Sequence, residues 1–292
     1  MTRSEVRPAA DATKRVSAVH VRGLSKTYGG TDAVRGLDLD VGYGEIFAIL
    51  GPNGAGKSTT IEILEGNRKR DSGRVQVLGV DPAAAGRDWR ARIGIVLQEV
   101  SDAGMLTVRE TVQMFSSCYG TAREPAEVLE LVGLAAVSGS RVRALSGGQR
   151  RRLDVALGIV GKPELLFLDE PTTGFDPEAR RQFWDLIRLL AADGTTILLT
   201  THYLEEAAAL AHRVAVIAAG KLVAVDSPAR LTAHVDTAAT VRWTDRDGVH
   251  VERTEYPTEL IRQRSNAGEE LAQLTVTRPT LEDAYLQLIG LA

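Results

Sequence analysis

The chain has 292 residues, of which 44% are hydrophobic and 25% are charged, and its formal net charge is −3. This composition is ordinary for a globular protein, and the length suits one large domain with a small one. The weak negative charge excludes the overall basic field that draws proteins to nucleic acid, so we expect no nucleic-acid partner. The run Arg150-Arg151-Arg152 is a local feature, and it is predicted to be a solvated helix face.

Three further features limit the class of protein. Cys118 is the only cysteine, which excludes an internal disulfide and fits a reducing cytosol. No run of 18 or more apolar residues occurs, so no segment is predicted to span a bilayer. Residues 1–15 are polar and charged without an apolar core, and they are predicted to be a disordered tail rather than a secretory signal.

The first predicted elements are two half-buried strands at residues 17–21 and 37–41, where apolar and polar residues alternate. Tyr28 lies in the turn between them. Its ring either packs at the end of a strand or stacks on a planar ligand ring such as adenine. On the residues alone, packing is the favoured interpretation.

A phosphate-binding loop follows the next strand. Residues 46–50 form an unbroken apolar run, typical of a buried strand, and residues 58–65 have helical spacing. Between them the pattern G-x-x-x-x-G-K-[ST] is matched at every fixed position, and this context argues against a glycine-rich turn that binds nothing. Glycines let successive N–H groups turn inward, Lys57 can reach the β- and γ-phosphates of a nucleotide, and Ser58 can bind Mg²⁺. The predicted nucleotide-binding residues are Gly51, Pro52, Asn53, Gly54, Ala55, Gly56, Lys57, Ser58 and Thr59.

A further strand is predicted at residues 92–97, and Gln98 follows it. A polar side chain at the carboxyl end of a strand lies where α/β folds bind ligands, although Gln98 is also explained as a simple loop residue. From about residue 100 to 145 the pattern changes. Thr107 and Glu110 form a capping box and Pro125 opens a second helix, so this region is predicted to be a helical subdomain inserted between strands.

The stretch Leu145-Ser146-Gly147-Gly148-Gln149 opens a helix that is predicted over residues 147–160. Ser146 is a favourable N-cap, and the glycines leave the N–H groups of the first turn uncovered. This is a second candidate site for an anion. As local sequence it is only a helix cap, so it indicates a binding role without establishing one.

Polar side chains follow two more predicted strands. Four apolar residues, 165–168, precede Asp169 and Glu170, and the strand can deliver both carboxylates to the edge beside the phosphate loop. There Asp169 can hold Mg²⁺ through water and Glu170 can orient or polarise the attacking water, whereas the alternative is two solvated acids. Asp176 caps a further helix. His202 follows the strand at residues 196–200, which makes it a candidate γ-phosphate contact, although a lone histidine is usually structural.

The remaining chain is predicted to form a hairpin, at residues 214–217 and 221–225, and then a small domain. After residue 227 two alternating strands flank a turn at residues 245–248, and a third strand and a final helix follow. The main domain is therefore predicted over residues 16–227 and a small α+β domain over residues 228–292. No catalytic motif is present in the small domain.

Together these motifs resemble one family, the ATP-binding subunits of ABC transporters, over about residues 16–226. Residues 145–149 resemble the family's signature sequence at all five positions. Residues 51–58 resemble its Walker A motif and residues 165–169 its Walker B motif. The single-residue resemblances are Glu170 to the catalytic glutamate, Gln98 to the Q-loop, His202 to the H-switch, Tyr28 to the A-loop aromatic and Asp176 to the D-loop aspartate. One mild departure is Phe175, which stands where leucine is commoner.

The resemblance implies both a fold and a mechanism. The fold is an α/β P-loop NTPase with a mixed sheet core, an antiparallel N-terminal β part and a helical subdomain. The implied activity is ATP hydrolysis with ATP and Mg²⁺ as cofactors, in which Glu170, His202 and Gln98 would serve catalysis and Tyr28 would stack on adenine. The implied metal ligands are Ser58, Gln98 and Asp169.

The resemblance also implies two partners. A second copy of the chain would share two ATP molecules head to tail, each between Walker A of one copy and the signature of the other. The signature residues are Ser146, Gly147, Gly148 and Gln149. The other partner is an integral membrane permease, to which the chain binds peripherally from the cytoplasmic face.

Within the family, the sequence is most similar to stand-alone subunits of the ABC-2 drug-export type, such as daunorubicin-resistance ATP-binding proteins. This similarity rests on residues 150–153 and 279–283. One alternative is a soluble ABC ATPase that acts on ribosomes or DNA, which usually has two nucleotide-binding domains or long coiled-coil arms. Another is a metabolic P-loop kinase, which has no use for a complete signature. The sequence shows one nucleotide-binding domain and no coiled-coil arms, which argues against the soluble ABC ATPase. The complete signature argues against the kinase, so we favour the transporter subunit.

Overall fold

The structure is a computed structural model that describes residues 17–96, 104–235, 238–245, 247–265 and 271–290. The predicted tail at residues 1–15 and Gln98 lie outside these ranges. The strands are β1 (Ser17–Tyr28), β2 (Thr31–Gly42), β3 (Ile46–Leu50), β4 (Ser72–Val77), β5 (Ile93–Val96), β6 (Leu165–Asp169), β7 (Thr196–Thr200), β8 (Arg213–Ala218), β9 (Lys221–Asp226), β10 (Ala239–Asp245), β11 (Gly248–Thr254) and β12 (Ala272–Thr277). The helices are α1 (Lys57–Leu64), α2 (Arg87–Arg90), α3 (Val108–Ser116), α4 (Pro125–Leu131), α5 (Gly147–Ile159), α6 (Pro177–Ala192), α7 (Leu204–Leu210), α8 (Pro228–Val235), α9 (Pro257–Arg264) and α10 (Leu281–Gly290).

A central sheet with the strand order β5-β6-β7-β3-β8-β9 positions the candidate site. Its first five strands pair in parallel, and β9 pairs antiparallel to β8 as the second arm of the predicted hairpin. The apolar runs of β3 and β7 are buried along their whole length, as expected for parallel strands that are covered on both faces. Because parallel strands end at the same edge, the residues that follow β3, β6 and β7 meet there.

An antiparallel sheet, in the order β2-β1-β4, packs on the central sheet. Val19, Val21 and Leu39 share one buried core cluster with Phe47 of β3 and Phe167 of β6. Both strands predicted in this region are longer than expected: β1 continues through Tyr28, which the sequence predicts to lie in the turn, and β2 begins at Thr31. Register shifts after Val21 break the alternation from which a strand is recognised in the sequence.

The helical segment between β5 and β6 packs on the other side of the central sheet. α3 begins with the predicted capping box, in which Glu110 donates its N–H to Oγ1 of Thr107 (3.2 Å) and Thr107 donates its N–H to Oε2 of Glu110 (2.8 Å). Val112 of α3, Leu129 of α4 and Leu153 of α5 lie in one core cluster with the strands. In the part of the chain that the structure describes, no helix is both long and apolar enough to cross a lipid bilayer.

The C-terminal region divides between two cores. β11, β10 and β12 form the predicted antiparallel sheet, and Val241 and Trp243 pack with Leu260 of α9. By contrast, Leu231 of α8 and Leu281 of α10 belong to the large core of the central sheet. The last helix therefore returns to the main body of the molecule, and the division of the chain at residue 228 stays a prediction.

Candidate functional site

A groove of about 770 Å³ opens at the edge of the central sheet where β3, β6 and β7 end. It brings together most of the residues that the sequence predicts for the site. The predicted residues that line it are Tyr28, Asn53, Gly54, Ala55, Gly56, Lys57, Ser58, Thr59, Asp169, Glu170 and His202. Ala33 lines the groove as well, and nothing in the sequence around it indicates this position.

Two glycines set the shape of the loop between β3 and α1. A Cβ atom on Gly51 would lie 2.2 Å from the carbonyl oxygen of Ile217, and one on Gly56 would lie 2.3 Å from that of Ala33. Gly56 also has φ of +99°, in the left-handed region. The loop is thus held against β8 on one side and β2 on the other, in a conformation that side chains would block.

We expect Gly56→Ala to lower the free energy of unfolding by about 2–4 kcal/mol, from left-handed strain together with the clash with Ala33. ATP binding should be lost, because the loop that carries Lys57 must move. Gly54→Ala is the matched control, since Gly54 has φ of +78° but open space around a Cβ atom. Gly54→Ala should lower the free energy of unfolding only by the left-handed backbone strain, about 1–2 kcal/mol. Urea unfolding of both variants measures the difference, and equal losses would contradict the clash.

Lys57 is the buried cation of the site, with only 8% of its surface exposed. Its Nζ donates to the carbonyl oxygens of Gly51 (2.7 Å) and Pro52 (3.1 Å), so the ammonium group folds back over the loop. Burial lowers the pKa of Lys57, and the nearby carboxylates of Glu170 and Asp169 oppose this shift. An ammonium group beside the N-terminus of α1 forms a strong site for phosphate oxygens.

The two acidic residues at the end of β6 are held by Thr200 of β7. Thr200 donates its hydroxyl hydrogen to Oδ1 of Asp169. Glu170 donates its N–H to the carbonyl oxygen of Thr200 at 3.1 Å, and its nitrogen lies 3.2 Å from the Thr200 hydroxyl. Glu170 has φ of 44°, which is uncommon for a residue with a side chain. Its Oε2 lies 3.3 Å from Nδ1 of His202, so an acid and an imidazole face the groove together.

The signature-like turn and the D-loop aspartate are not among the described residues that line this groove. Ser146 caps α5 in a capping box: Gln149 donates its N–H to the Ser146 hydroxyl (3.3 Å), and Ser146 donates its N–H to Oε1 of Gln149 (3.0 Å). Ser146 and Gly147 are exposed. Asp176 caps α6 by accepting the N–H of Ala179 (2.7 Å). Both helix ends are thus formed as predicted, away from the groove of their own chain.

The prediction that residues 150–152 form a solvated face is wrong for Arg151, which is 8% exposed. Arg151 donates through Nε to the carbonyl oxygen of Pro171 (3.0 Å) and through Nη2 to that of Asp169 (2.8 Å). A signal was present, because Arg151 heads a helical row with Val155 and Ile159, both of which are apolar and buried. Thr200 was also missed, although its register with Asp169 at the strand ends follows from the parallel pairing.

A buried carboxyl group, Glu65, lies at the end of α1 and is 4% exposed. Burial raises its pKa from 4.5 to about 7, although Asn67 donates a hydrogen bond to Oε2 (3.0 Å) and opposes the shift. Between these two pH values the folded state binds the proton that the unfolded state has released. The stability contributed by this group is therefore lost as pH rises from 4.5 to 7, and the loss is constant above pH 7.

We expect Glu65→Gln to raise the free energy of unfolding at pH 8, by on the order of 3 kcal/mol. The difference from the wild type should shrink toward zero near pH 4.5, because the glutamine amide can still accept the Asn67 hydrogen bond. Denaturant unfolding from pH 4.5 to 8 measures this profile. Glu130→Gln, which changes an exposed glutamate, is the control and should leave the slope unchanged. A parallel shift of the Glu65→Gln curve at every pH would contradict the assignment.

Known proteins match the chain over nearly its full length. The model of the ABC transporter family matches residues 34–173, and that of an AAA domain matches residues 141–206. A daunorubicin resistance ATP-binding protein of Streptomyces coeruleorubidus is 37% identical over an alignment of 304 positions, which spans 94% of this chain and 96% of that protein. Nod factor export ATP-binding protein I of Rhizobium etli is 35% identical over an alignment of 306 positions, which spans 96% of each chain.

Solved structures share the fold. The ATP-binding subunit of an ABC transporter superposes with a TM-score of 0.70 at 22% identity and covers 93% of this chain and 99% of that one. A dimeric ATP-binding cassette in a post-hydrolysis state, bound to ADP and Pi, superposes with a TM-score of 0.65 at 25% identity. The match covers 72% of this chain and 98% of that one. The predicted fold class is confirmed. With the motifs assembled in one groove and relatives this similar end to end, the chain belongs to the ABC transporter family, as an ATP-binding subunit that hydrolyses ATP.

Proposed function

We propose that this chain powers the export of a drug, an antibiotic or another hydrophobic compound through a separate membrane subunit. One observation carries the proposal: a groove that brings the phosphate loop together with Asp169, Glu170 and His202 occurs in a chain whose relatives, along nearly its whole length, are named for daunorubicin resistance and Nod factor export. We place the subunit at the cytoplasmic face of the membrane, where it binds peripherally to its permease.

The groove is suited to a triphosphate that carries Mg²⁺. Lys57 and the N-terminus of α1 would hold the β- and γ-phosphates. The hydroxyl group of Ser58 and the carboxylate of Asp169 line the same groove, and oxygen ligands of these kinds are the ones that Mg²⁺ prefers. Bound there, Mg²⁺ neutralises charge on the phosphate oxygens. Gln98, the third predicted ligand, lies outside the described residues.

The adenine ring has an aromatic partner at the mouth of the groove. Tyr28 is 40% exposed, and the cationic groups of Lys26 and Arg68 each lie 5.3 Å from the centre of its ring. The ring is thus partly exposed, and the two cations add positive charge where the nucleotide would enter. Stacking on adenine is therefore the role that we assign to Tyr28.

Hydrolysis would use the pair at the edge of the sheet. Glu170 would orient and polarise the attacking water, because its carboxylate faces the groove close to the phosphate loop. His202 lies 3.3 Å from Glu170 and would contact the γ-phosphate. Together the two side chains would hold a water and a phosphate oxygen in the geometry that in-line attack requires.

A second copy of the chain would complete the site. The turn at Ser146, Gly147 and Gly148 is solvent-accessible and does not contribute to the groove of its own chain, as expected of a surface that binds the nucleotide of a partner. Its first-turn N–H groups and the helix dipole attract phosphate. Asp176, at the start of the next long helix, would face the same interface.

The proposal is tested by tagging the chain in its native cells and asking whether a polytopic membrane protein is isolated with it. We expect the two to co-purify from detergent extracts and to support ATP-dependent efflux of a hydrophobic drug from cells. Glu170→Gln should abolish efflux and keep the co-purification. Recovery of the chain with ribosomes or DNA, without the membrane protein, would overturn the proposal in favour of a soluble ABC ATPase.

A further inference from the structure

Arg151 connects two parts of the site that are distant in sequence. It lies in the second turn of α5, the helix that begins at the signature-like turn. Its guanidinium group is buried against three consecutive carbonyl oxygens at the end of β6 and just beyond it, those of Asp169 (2.8 Å), Glu170 (3.4 Å) and Pro171 (3.0 Å). The acceptors are main-chain atoms, so the contact fixes the path of the backbone through the acidic pair.

The backbone at this point needs such support. Glu170 has φ of 44°, which costs about 1 kcal/mol or more for a residue with a Cβ atom and persists only where surrounding contacts impose it. Thr200 holds the N–H of Glu170. Arg151 donates to the carbonyl group of Glu170 and to those of the residues before and after it. The two contacts clamp the Glu170 peptide from opposite ends.

We propose that Arg151 is a positioning residue for ATP hydrolysis: it holds Glu170 in the conformation that places its carboxylate beside His202, and it couples that conformation to the position of α5. The inference deepens the proposed function and rests on it, since it assumes that Glu170 activates water. Because α5 runs without interruption from the signature-like turn to Arg151, engagement of that turn by a partner's nucleotide would be transmitted to Glu170 of the same chain.

The geometry requires arginine. The planar guanidinium group presents Nε and Nη2 in a fixed fork that reaches Pro171 and Asp169 at once. A lysine keeps the charge and has three N–H donors, but all three leave one nitrogen and do not reproduce the planar fork that reaches Pro171 and Asp169. The neighbouring Arg152 donates to Oε1 of Gln182 (2.8 Å) on α6, so it is a matched arginine on the same helix with a different partner.

The test is steady-state ATP hydrolysis by the full chain with Mg²⁺, in the wild type and in Arg151→Lys, Arg151→Gln and Arg152→Lys variants. We expect kcat of both Arg151 variants to fall by about 10–100-fold with KM for ATP within about twofold, as a misplaced carboxylate requires. Arg152→Lys should stay within about threefold of the wild type, because its contact lies away from Glu170. Rates are corrected for the folded fraction, measured by thermal unfolding in each sample.

A second readout separates positioning from mere stabilisation. In a Glu170→Gln background, Arg151→Lys should cause no further loss of the residual rate, since both changes act through one carboxylate. Equal kcat in Arg151→Lys, Arg152→Lys and wild type would overturn the role of Arg151 and leave the proposed function untouched. A loss of kcat that disappears on correction for the folded fraction would have the same meaning. If the wild type hydrolyses ATP and Glu170→Gln matches it, the role of Glu170 fails, and this inference fails with it.

Discussion

Glu170→Gln is expected to lower kcat for ATP by about 100-fold to 10,000-fold, the usual range for removal of a general base, while ATP binding is kept. The amide has the shape of the carboxylate but cannot accept a proton from the attacking water. Removal of one negative charge near the triphosphate should leave the affinity unchanged or stronger. Since nucleotide is held but not cleaved, an ATP-dependent dimer should accumulate, and size-exclusion chromatography with Mg-ATP measures it.

Glu124→Gln provides the control for this experiment. Glu124 is an exposed residue just before α4, outside the groove, so the same chemical change there should leave turnover and dimer content as in the wild type. Normal turnover by Glu170→Gln would remove Glu170 from its role. Loss of ATP binding together with turnover would show instead that the carboxylate supports the fold of the loop around Lys57.

Ser146→Arg is expected to lower hydrolysis to about a hundredth of the wild-type rate, comparable to the loss of an anion-stabilising donor. The long side chain would stand on the exposed helix tip that we assign to a partner's nucleotide, and it would block close approach. Affinity of the monomer for ATP should stay within about twofold of the wild type, because Ser146 does not line its own groove. Titration with a fluorescent ATP analogue at low protein concentration measures that affinity.

Ser146→Ala separates obstruction from the loss of a cap. It removes the hydroxyl that accepts the N–H of Gln149, at a cost of about 1 kcal/mol in helix stability, but adds no bulk. We expect its hydrolysis rate to lie much closer to the wild type than that of Ser146→Arg. Weakened monomer affinity in Ser146→Arg would argue against contact with a second copy, and equal rates in the two variants would assign the effect to the cap.

The parts of the site that are encoded locally could be predicted from the sequence. The glycine spacing up to Lys57 predicts a tight loop between a strand and a helix, and a buried apolar run that ends in Asp169 and Glu170 places both acids at a strand end. Parallel pairing then brings His202 to the same edge, although it lies far along the chain. These predictions succeed because each rests on a backbone rule that applies within a few residues or along one edge of a sheet.

The remaining features depend on packing that a single sequence does not display. Three consecutive arginines have identical chemistry, and only the tertiary structure decides that Arg151 faces the main chain after β6. The left-handed conformation of Glu170 has no sequence signature, because glutamate rarely adopts it. Likewise, the apolar stripe of α10 predicts a helix but not the surface that it covers, which is set by contacts with α7 and α8.

The return of α10 has a consequence for the architecture of shortened versions of this protein. α8 and α10 pack against each other, and α10 also contacts β8 and β9, while β10, β11, α9 and β12 lie between the two helices in the chain. The small sheet is therefore an insertion between two helices of the main body and not a C-terminal extension. Truncation after residue 235 would remove Leu281 from the large core. Replacement of residues 238–277 by a flexible linker would keep both α8 and α10, so that both helices could still cover that core.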